Sequence, residues 1–389
     1  MAAISDRPLS KHLPGLDLLR AIAIGWVMCF HSFLVGGFNE HFAWLSRSGW
    51  MGVDLFFVLS GFLIGSQVLY PLIHGQQFSL RAFYIRRAFR ILPAFWVVLA
   101  LYVAFPWFRE APGLEPWWKF ATFVVNLSIN YVHNQAFSHA WSLCVEEHFY
   151  ICLPLLACGM TRRLSARAFV SLLLTLVLLG IAARTAIWLY DHNAAPERNW
   201  FIEDIYFPTW NRLDGLLAGV ALAVMKESRP RAWQELGAYA NRALIAGILI
   251  VAFAVWLFWD RTGLLANSIG WPILSMGLGL LVFAGAHRTG WLGRHAVPGA
   301  AWVAAVSYSL YLVHKPIYHI TQALYGEVLS RNGLLAFCAY TAASLSGAAL
   351  LYYLVERPGL KLRDWLLSHA SFAKPHAPVA RIEANSTPP

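Results

Sequence analysis

Ten long apolar stretches separated by short basic connections decide what this chain can fold into. They fall at about 16–38, 50–73, 91–108, 141–160, 168–190, 210–225, 243–259, 268–286, 301–325 and 334–355. A hydrocarbon core of about 30 Å takes about 20 helical residues. Within it each backbone N–H and C=O must be satisfied inside the segment, which leaves the helix as the solution for such runs. Only 13% of the residues are charged, against about 25% in a soluble domain. The sequence therefore predicts an all-α, polytopic transmembrane bundle of about ten helices. The stretch 210–225 is short, polar at its start, and the weakest of the ten.

Charge orients the bundle. With the N-terminus cytoplasmic, 20 of the 30 Lys and Arg fall in inside segments, 6 in outside segments and 4 within crossings. That asymmetry is what the positive-inside rule requires, and it places both termini in the cytoplasm. The net charge of +10 thus reads as membrane orientation, not nucleic-acid binding. Trp117 to Val132 is apolar enough for an eleventh crossing, but a full crossing would invert every later loop. It is read as a re-entrant or interfacial element, or as half of a pair with a hidden half-helix at 133–140. Residues 1–15 form a cytoplasmic segment, 16–358 the membrane domain, and 359–389 a polar, disordered cytoplasmic tail. The five cysteines have no metal-ligand spacing, and no metal site is expected. Asp17 and Arg20 enter the first stretch and no small-residue cleavage site follows it, so it is not read as a cleavable signal.

Ionisable residues inside these stretches are costly in lipid and ask for a reason. At helical rise, His31 lies about 22 Å beyond Leu16, in the outer half of the membrane. Asp54, Glu146, Arg212, Asp214 and His314 fall at a similar depth and are expected to line one cavity with it. Tyr308, Tyr311 and His314 recur along one face. A second group, Asp17, Arg20, Arg86, Arg87 and Arg90, lies toward the cytoplasm, where guanidinium forks suit phosphate oxygens. Each group has a bland alternative: an anchor cluster, an Arg212–Asp214 structural pair, or an aromatic stripe. Two charged groups on opposite sides favour chemistry. A neutral histidine can take a proton from a hydroxyl, with Asp54 or Glu146 fixing its tautomer. Phosphate-binding arginines suit a coenzyme A carrier. The simplest reaction joining them is acyl transfer from a thioester to a hydroxyl, with an arginine or a backbone N–H for the developing oxyanion.

These residues sit in motifs that resemble the acyltransferase 3 family of membrane O-acyltransferases. The matches are Gly15-Leu16-Asp17-Leu18-Leu19-Arg20, the Arg20-x10-His31 spacing, and Gly52-Val53-Asp54-Leu55-Phe56-Phe57-Val58-Leu59-Ser60-Gly61. Arg86-Arg87-x2-Arg90-x2-Pro93 and Trp141-Ser142-Leu143-x-Val145-Glu146 follow. Arg212-x-Asp214, Ser307-Tyr308-Ser309-Leu310-Tyr311-Leu312-x-His314 and Val355-Glu356-x-Pro358 complete the series. The resemblance implies a bacterial inner-membrane enzyme that moves an acyl group, usually acetyl, from cytoplasmic acyl-CoA to a sugar of a surface glycan. Acetyl-CoA would be a co-substrate, with no tightly bound cofactor. His31 and Arg20 carry over as the catalytic pair, Arg86, Arg87 and Arg90 with Asp17 as the donor contacts, and Glu146 as an active-site residue. Ser142, Arg212, Asp214, Tyr311 and His314 complete the expected cavity. The partners implied are acyl-CoA, a lipid-linked or surface carbohydrate, membrane lipid and a separate glycan-assembly or transferase protein. A covalent relay through His31, Ser32, Ser60 or Ser142 is the variant to direct transfer. Loops 109–140 and 191–209, with Trp200, Phe201 and Trp210, would meet the acceptor. The rival classes are a proton-coupled transporter or flippase of a polar metabolite, and a structural scaffold.

Overall fold

The structure is a computed structural model and describes residues 13–37, 43–160, 166–192 and 198–369. The N-terminal residues 1–12, the loop residues Arg162, Arg163 and Glu197, and the tail 370–389 lie outside the described residues. No strand occurs among the described residues. The principal helices are α1 (Pro14–Leu34), α2 (Met51–Ile73), α3 (Leu80–Ala104), α4 (Trp141–Met160), α5 (Ala166–Asp191), α6 (Asp214–Ser228), α7 (Ala240–Leu257), α8 (Trp271–Ala286), α9 (Ala300–Leu329) and α10 (Gly333–Leu351). Eight of the helical segments are long and apolar enough to cross a membrane. Two of the ten expected crossings are not among those eight. One is α6, with only 15 residues. The other is α9, which carries His314, Lys315 and His319 in its middle.

Local signals set the ends. Pro14 opens α1 and Asp17 lies in its first turn, where a missing N–H costs nothing and a carboxylate meets the positive end of the helix dipole. Ser79 caps α3 by accepting from the Ala82 N–H at 3.2 Å, and Asn332 caps α10 through the Leu334 and Leu335 N–H groups. The Ser79 cap starts α3 earlier than the expected 91, so Arg81 to Arg90 form its first turns and not a loop.

α1 stands near the centre, packed against α2, α8 and α9. The tightest crossing is α2 on α6. A Cβ on Gly61 would overlap the Leu216 carbonyl, and one on Gly219 would overlap the Val58 carbonyl. Glycine at both positions lets the two backbones touch. Leu174, Leu178 and Leu179 on α5, and Ile245, Ile248 and Leu249 on α7, are exposed, an apolar rim that suits lipid.

Two expectations change. Residues 117–132 contain only a five-residue helix, Trp117–Ala121, and a 3-10 turn, Val125–Leu127, with a further 3-10 turn at Ser138–Ala140. They make no crossing and no half-helix pair, and instead form a folded cap. The first part of the expected disordered tail is also ordered: Arg357–His369 is a helix lying along α3.

Candidate active site

His31 is partly exposed, in the last turn of α1. Its Nδ1 lies 3.2 Å from the Val27 carbonyl and 3.0 Å from His314 Nε2. His314 Nδ1 in turn lies 2.8 Å from the Tyr311 carbonyl. A carbonyl only accepts, so His314 carries its proton on Nδ1 and presents a lone pair at Nε2. His31 Nδ1 must then be the donor, to Val27 and to His314. The lone pair of neutral His31 is left on Nε2. The chain thereby selects the tautomer that a general base needs.

The expected orienting carboxylates are elsewhere. Neither Asp54 nor Glu146 touches His31; the neutral imidazole of His314 fills that role. Helix geometry explains the choice, since α9 crosses α1 directly while Asp54 and Glu146 face other neighbours.

A third histidine, missed in the sequence, stands beside this pair. His139 packs edge-on against His314 with ring centroids 5.2 Å apart. Its Nε2 donates to the Leu312 carbonyl at 3.2 Å. Pro316 explains the site: it has no N–H, so the carbonyl four residues earlier, Leu312, loses its helical partner and His139 replaces it. His139 Nδ1 is buried without a hydrogen bond and 3.9 Å from Glu110 Oε1. Glu110 pairs with Lys315 at 2.9 Å and accepts from the Tyr102 hydroxyl at 2.7 Å. Burial pushes the Glu110 carboxyl up, but Lys315 and the hydrogen bonds from Lys315 and Tyr102 outweigh it and hold it below the usual range. Glu110 is thus an anion close to the histidine cluster.

The expected residues do not share one cavity: His31, Asp54, Arg212, Asp214 and His314 are absent from the lining of the cavity at the arginines. That cavity of about 120 Å³ is lined by Arg20, Arg87, Arg90, Ser142, Glu146 and Tyr311, together with Ser60, Glu147, Tyr150 and Tyr308. Glu146 therefore belongs with the arginines and not at the level of His31. It accepts from the Tyr150 hydroxyl. Arg90 is paired with Glu356, whose other oxygen accepts from Ser309 at 2.7 Å. Arg86 is exposed and Asp17 lies one turn before Arg20; neither lines the cavity. Glu147 was missed because adjacent helical residues ordinarily face different neighbours. Tyr311 joins the two halves of the site. Its hydroxyl, in the cavity wall, donates to the His139 carbonyl at 2.8 Å and accepts from Ser142 at 2.7 Å, while its own carbonyl fixes His314.

Asp54, Arg212 and Asp214 form a separate structural box. Arg212 pairs with Asp54 at 2.7 Å, and Asp214 with Arg184 at 2.8 Å. The alternative of an Arg212–Asp214 pair is not realised: Arg212, just before α6, and Asp214, its first residue, pair with partners on different helices. Trp141, Tyr206 and Trp271 surround the Arg212 guanidinium, the nearest ring at 3.9 Å. No group of His, Cys, Asp and Glu suited to a metal occurs among the described residues.

The family model described as Acyltransferase domain, acyltransferase 3, matches residues 13–353. The peptidoglycan O-acetyltransferase OatA of Listeria monocytogenes is 28% identical over 376 residues, covering 90% of this chain and 56% of that protein. A Staphylococcus aureus protein named "Putative O-acetyltransferase" is 26% identical over 391 residues, covering 92% of this chain and 60% of its own length. The protein of Bacillus subtilis named "Putative peptidoglycan O-acetyltransferase YrhL" is 26% identical over 370 residues, covering 90% and 55%. The chain thus spans little more than half the length of these relatives. No solved structure matches it. The motifs recognised from Asp17 to Glu356 and the match over nearly the whole bundle agree: this multi-pass membrane protein belongs to the acyltransferase 3 family.

Proposed function

We propose that the chain is a membrane O-acetyltransferase that moves acetyl from acetyl-CoA, bound from the cytoplasm, to a hydroxyl of a surface glycan. The observation that carries this reading is the hydrogen-bonded order Tyr311–His314–His31, which leaves His31 Nε2 as the free base and ties it to an arginine-lined cavity. The names of the relatives supply acetyl as the group and a glycan as the acceptor class.

Arg20, Arg87 and Arg90 hold the donor. A cavity of about 120 Å³ has room for roughly eight waters, enough for the thioester end of the carrier. The nucleotide lies outside it, where the exposed Arg86 supplies charge. The single Ser142 proton goes to Tyr311, so a guanidinium of the cavity wall is the donor for the developing oxyanion. His31 Nε2 removes the acceptor proton as the hydroxyl oxygen attacks the thioester carbon; the C–S bond breaks and coenzyme A leaves as the thiolate. The proton on His31 is shared with His314 through the Nδ1–Nε2 bond, and Glu110 offsets part of the charge.

Direct transfer is favoured over a covalent relay. Ser142 hydrogen-bonds to a phenol and has no base beside it, and Ser60, next to Tyr150 and Glu146, lies in the arginine cavity with no histidine to activate it. The test is single turnover with radiolabelled acetyl-CoA in nanodiscs. Label passing to added peptidoglycan fragments, with none kept on protein when acceptor is omitted, supports the reading. Stable label on the protein sinks direct transfer, and no transfer at all sinks the enzyme.

A further inference from the structure

Arg261 is the cation that the account above does not use. It sits in the turn between α7 and the segment leading into α8, partly exposed at the end of the bundle that carries His31. Its guanidinium carbon lies 4.7 Å from the Trp50 ring, 4.9 Å from Tyr206, 5.3 Å from Phe201 and 5.9 Å from Phe30. Among the described residues no carboxylate pairs with it, and its Nε is buried without an acceptor. Aromatic faces stabilise a guanidinium, but they do not satisfy its five N–H groups.

The neighbouring charges do not cancel it. Asp214 is taken by Arg184 and Asp54 by Arg212; Asp54 also acts on Arg261 through space without bonding to it, so three guanidiniums share two carboxylates. A partly buried, unmatched cation is costly unless an anion arrives from outside the chain. Location says which kind of molecule brings it. Phe30 is edge-on to His31, centroids 5.1 Å apart, and also flanks Arg261, so one ring separates the cation from the base.

We infer that Arg261 is an anion subsite for the acceptor: it binds a carboxylate or phosphate carried by the glycan whose hydroxyl is placed at His31. This deepens the glycan reading and rests on it, but its test reads binding and needs no turnover. The full chain in phosphatidylcholine nanodiscs is titrated with methyl β-glucuronide, glucose 1-phosphate and neutral methyl β-glucoside, following tryptophan fluorescence. Wild type is expected to bind the two anionic sugars at least tenfold tighter than the neutral one. Arg261→Gln is expected to erase that preference without changing neutral-sugar or acetyl-CoA binding, and Arg261→Lys to keep part of it. Equal affinity for charged and neutral sugars overturns the inference, as does a preference that survives Arg261→Gln. Loss of the preference in phosphatidylglycerol discs assigns the site to a lipid phosphate and overturns the glycan assignment. If the preference holds but no acetyl transfer is found, the functional reading fails and the subsite stands.

Discussion

Replacing His314 separates an orienting histidine from a catalytic one. In the structure His314 contributes one hydrogen bond to His31, accepted at Nε2 over 3.0 Å. The Val27 carbonyl at 3.2 Å still holds the His31 tautomer when His314 is lost. The cost in the transition state is then one hydrogen bond to a charged imidazolium, about 1.5–3 kcal/mol, or roughly 10–150-fold in kcat/KM. His314→Leu is expected to fall in that window. In His314→Gln the amide oxygen can reach the position of Nε2 and accept the same proton, so the loss shrinks to about fivefold. His31→Gln removes the base itself and costs about 10²–10⁴-fold. The assay is the initial rate of acetyl transfer from labelled acetyl-CoA in nanodiscs, with acetyl-CoA binding as the control for folding. A His314→Leu defect as deep as that of His31→Gln, or none at all, would refute the orienting role.

Further outcomes follow from other parts of the structure. Arg87 and Arg20 line the cavity that takes the thioester end, so Arg87→Ala and Arg20→Ala are each expected to raise KM about 10–150-fold for acetyl-CoA and for acetyl-pantetheine, which lacks the nucleotide, alike; a rise confined to acetyl-CoA would place the nucleotide, not the thioester end, at these residues. Asp54→Ala leaves Arg212 buried and unpaired, so detergent unfolding should show a loss of about 3–5 kcal/mol. Gly219→Ala forces a Cβ into the Val58 carbonyl and should cost about 1–3 kcal/mol, read as a lower Tm with unchanged acetyl-CoA affinity in the folded fraction. Glu110 has a carboxyl held below its ordinary 4.5, so its stabilisation is present above about pH 4.5 and lost as pH falls through the lower folded value. The wild-type Tm should drop over that interval more steeply than that of Glu110→Gln.

The helices were legible because a membrane asks for one simple pattern, about 20 apolar residues without a break. The two ends of the site were legible for the same reason: a histidine or an arginine in such a run stands out. Pairings were not. Arg212 meets Asp54, 158 positions away, while Asp214 two residues on meets Arg184. Such partners are chosen by how helices cross, and no local period encodes that. His139 was invisible because its role depends on a carbonyl freed by Pro316 on another helix. Arg261 lies in a turn where an arginine is ordinary; only the aromatic rings folded around it single it out.

The central claim is that His31 is the base that completes transfer from a donor held by the arginine cavity. Its most direct test is His31→Gln in nanodiscs, reading acetyl-CoA affinity and acetyl transfer to glycan fragments in the same preparation. The account predicts unchanged donor affinity with transfer lowered by at least about 10²-fold. Transfer within a few fold of wild type would contradict it.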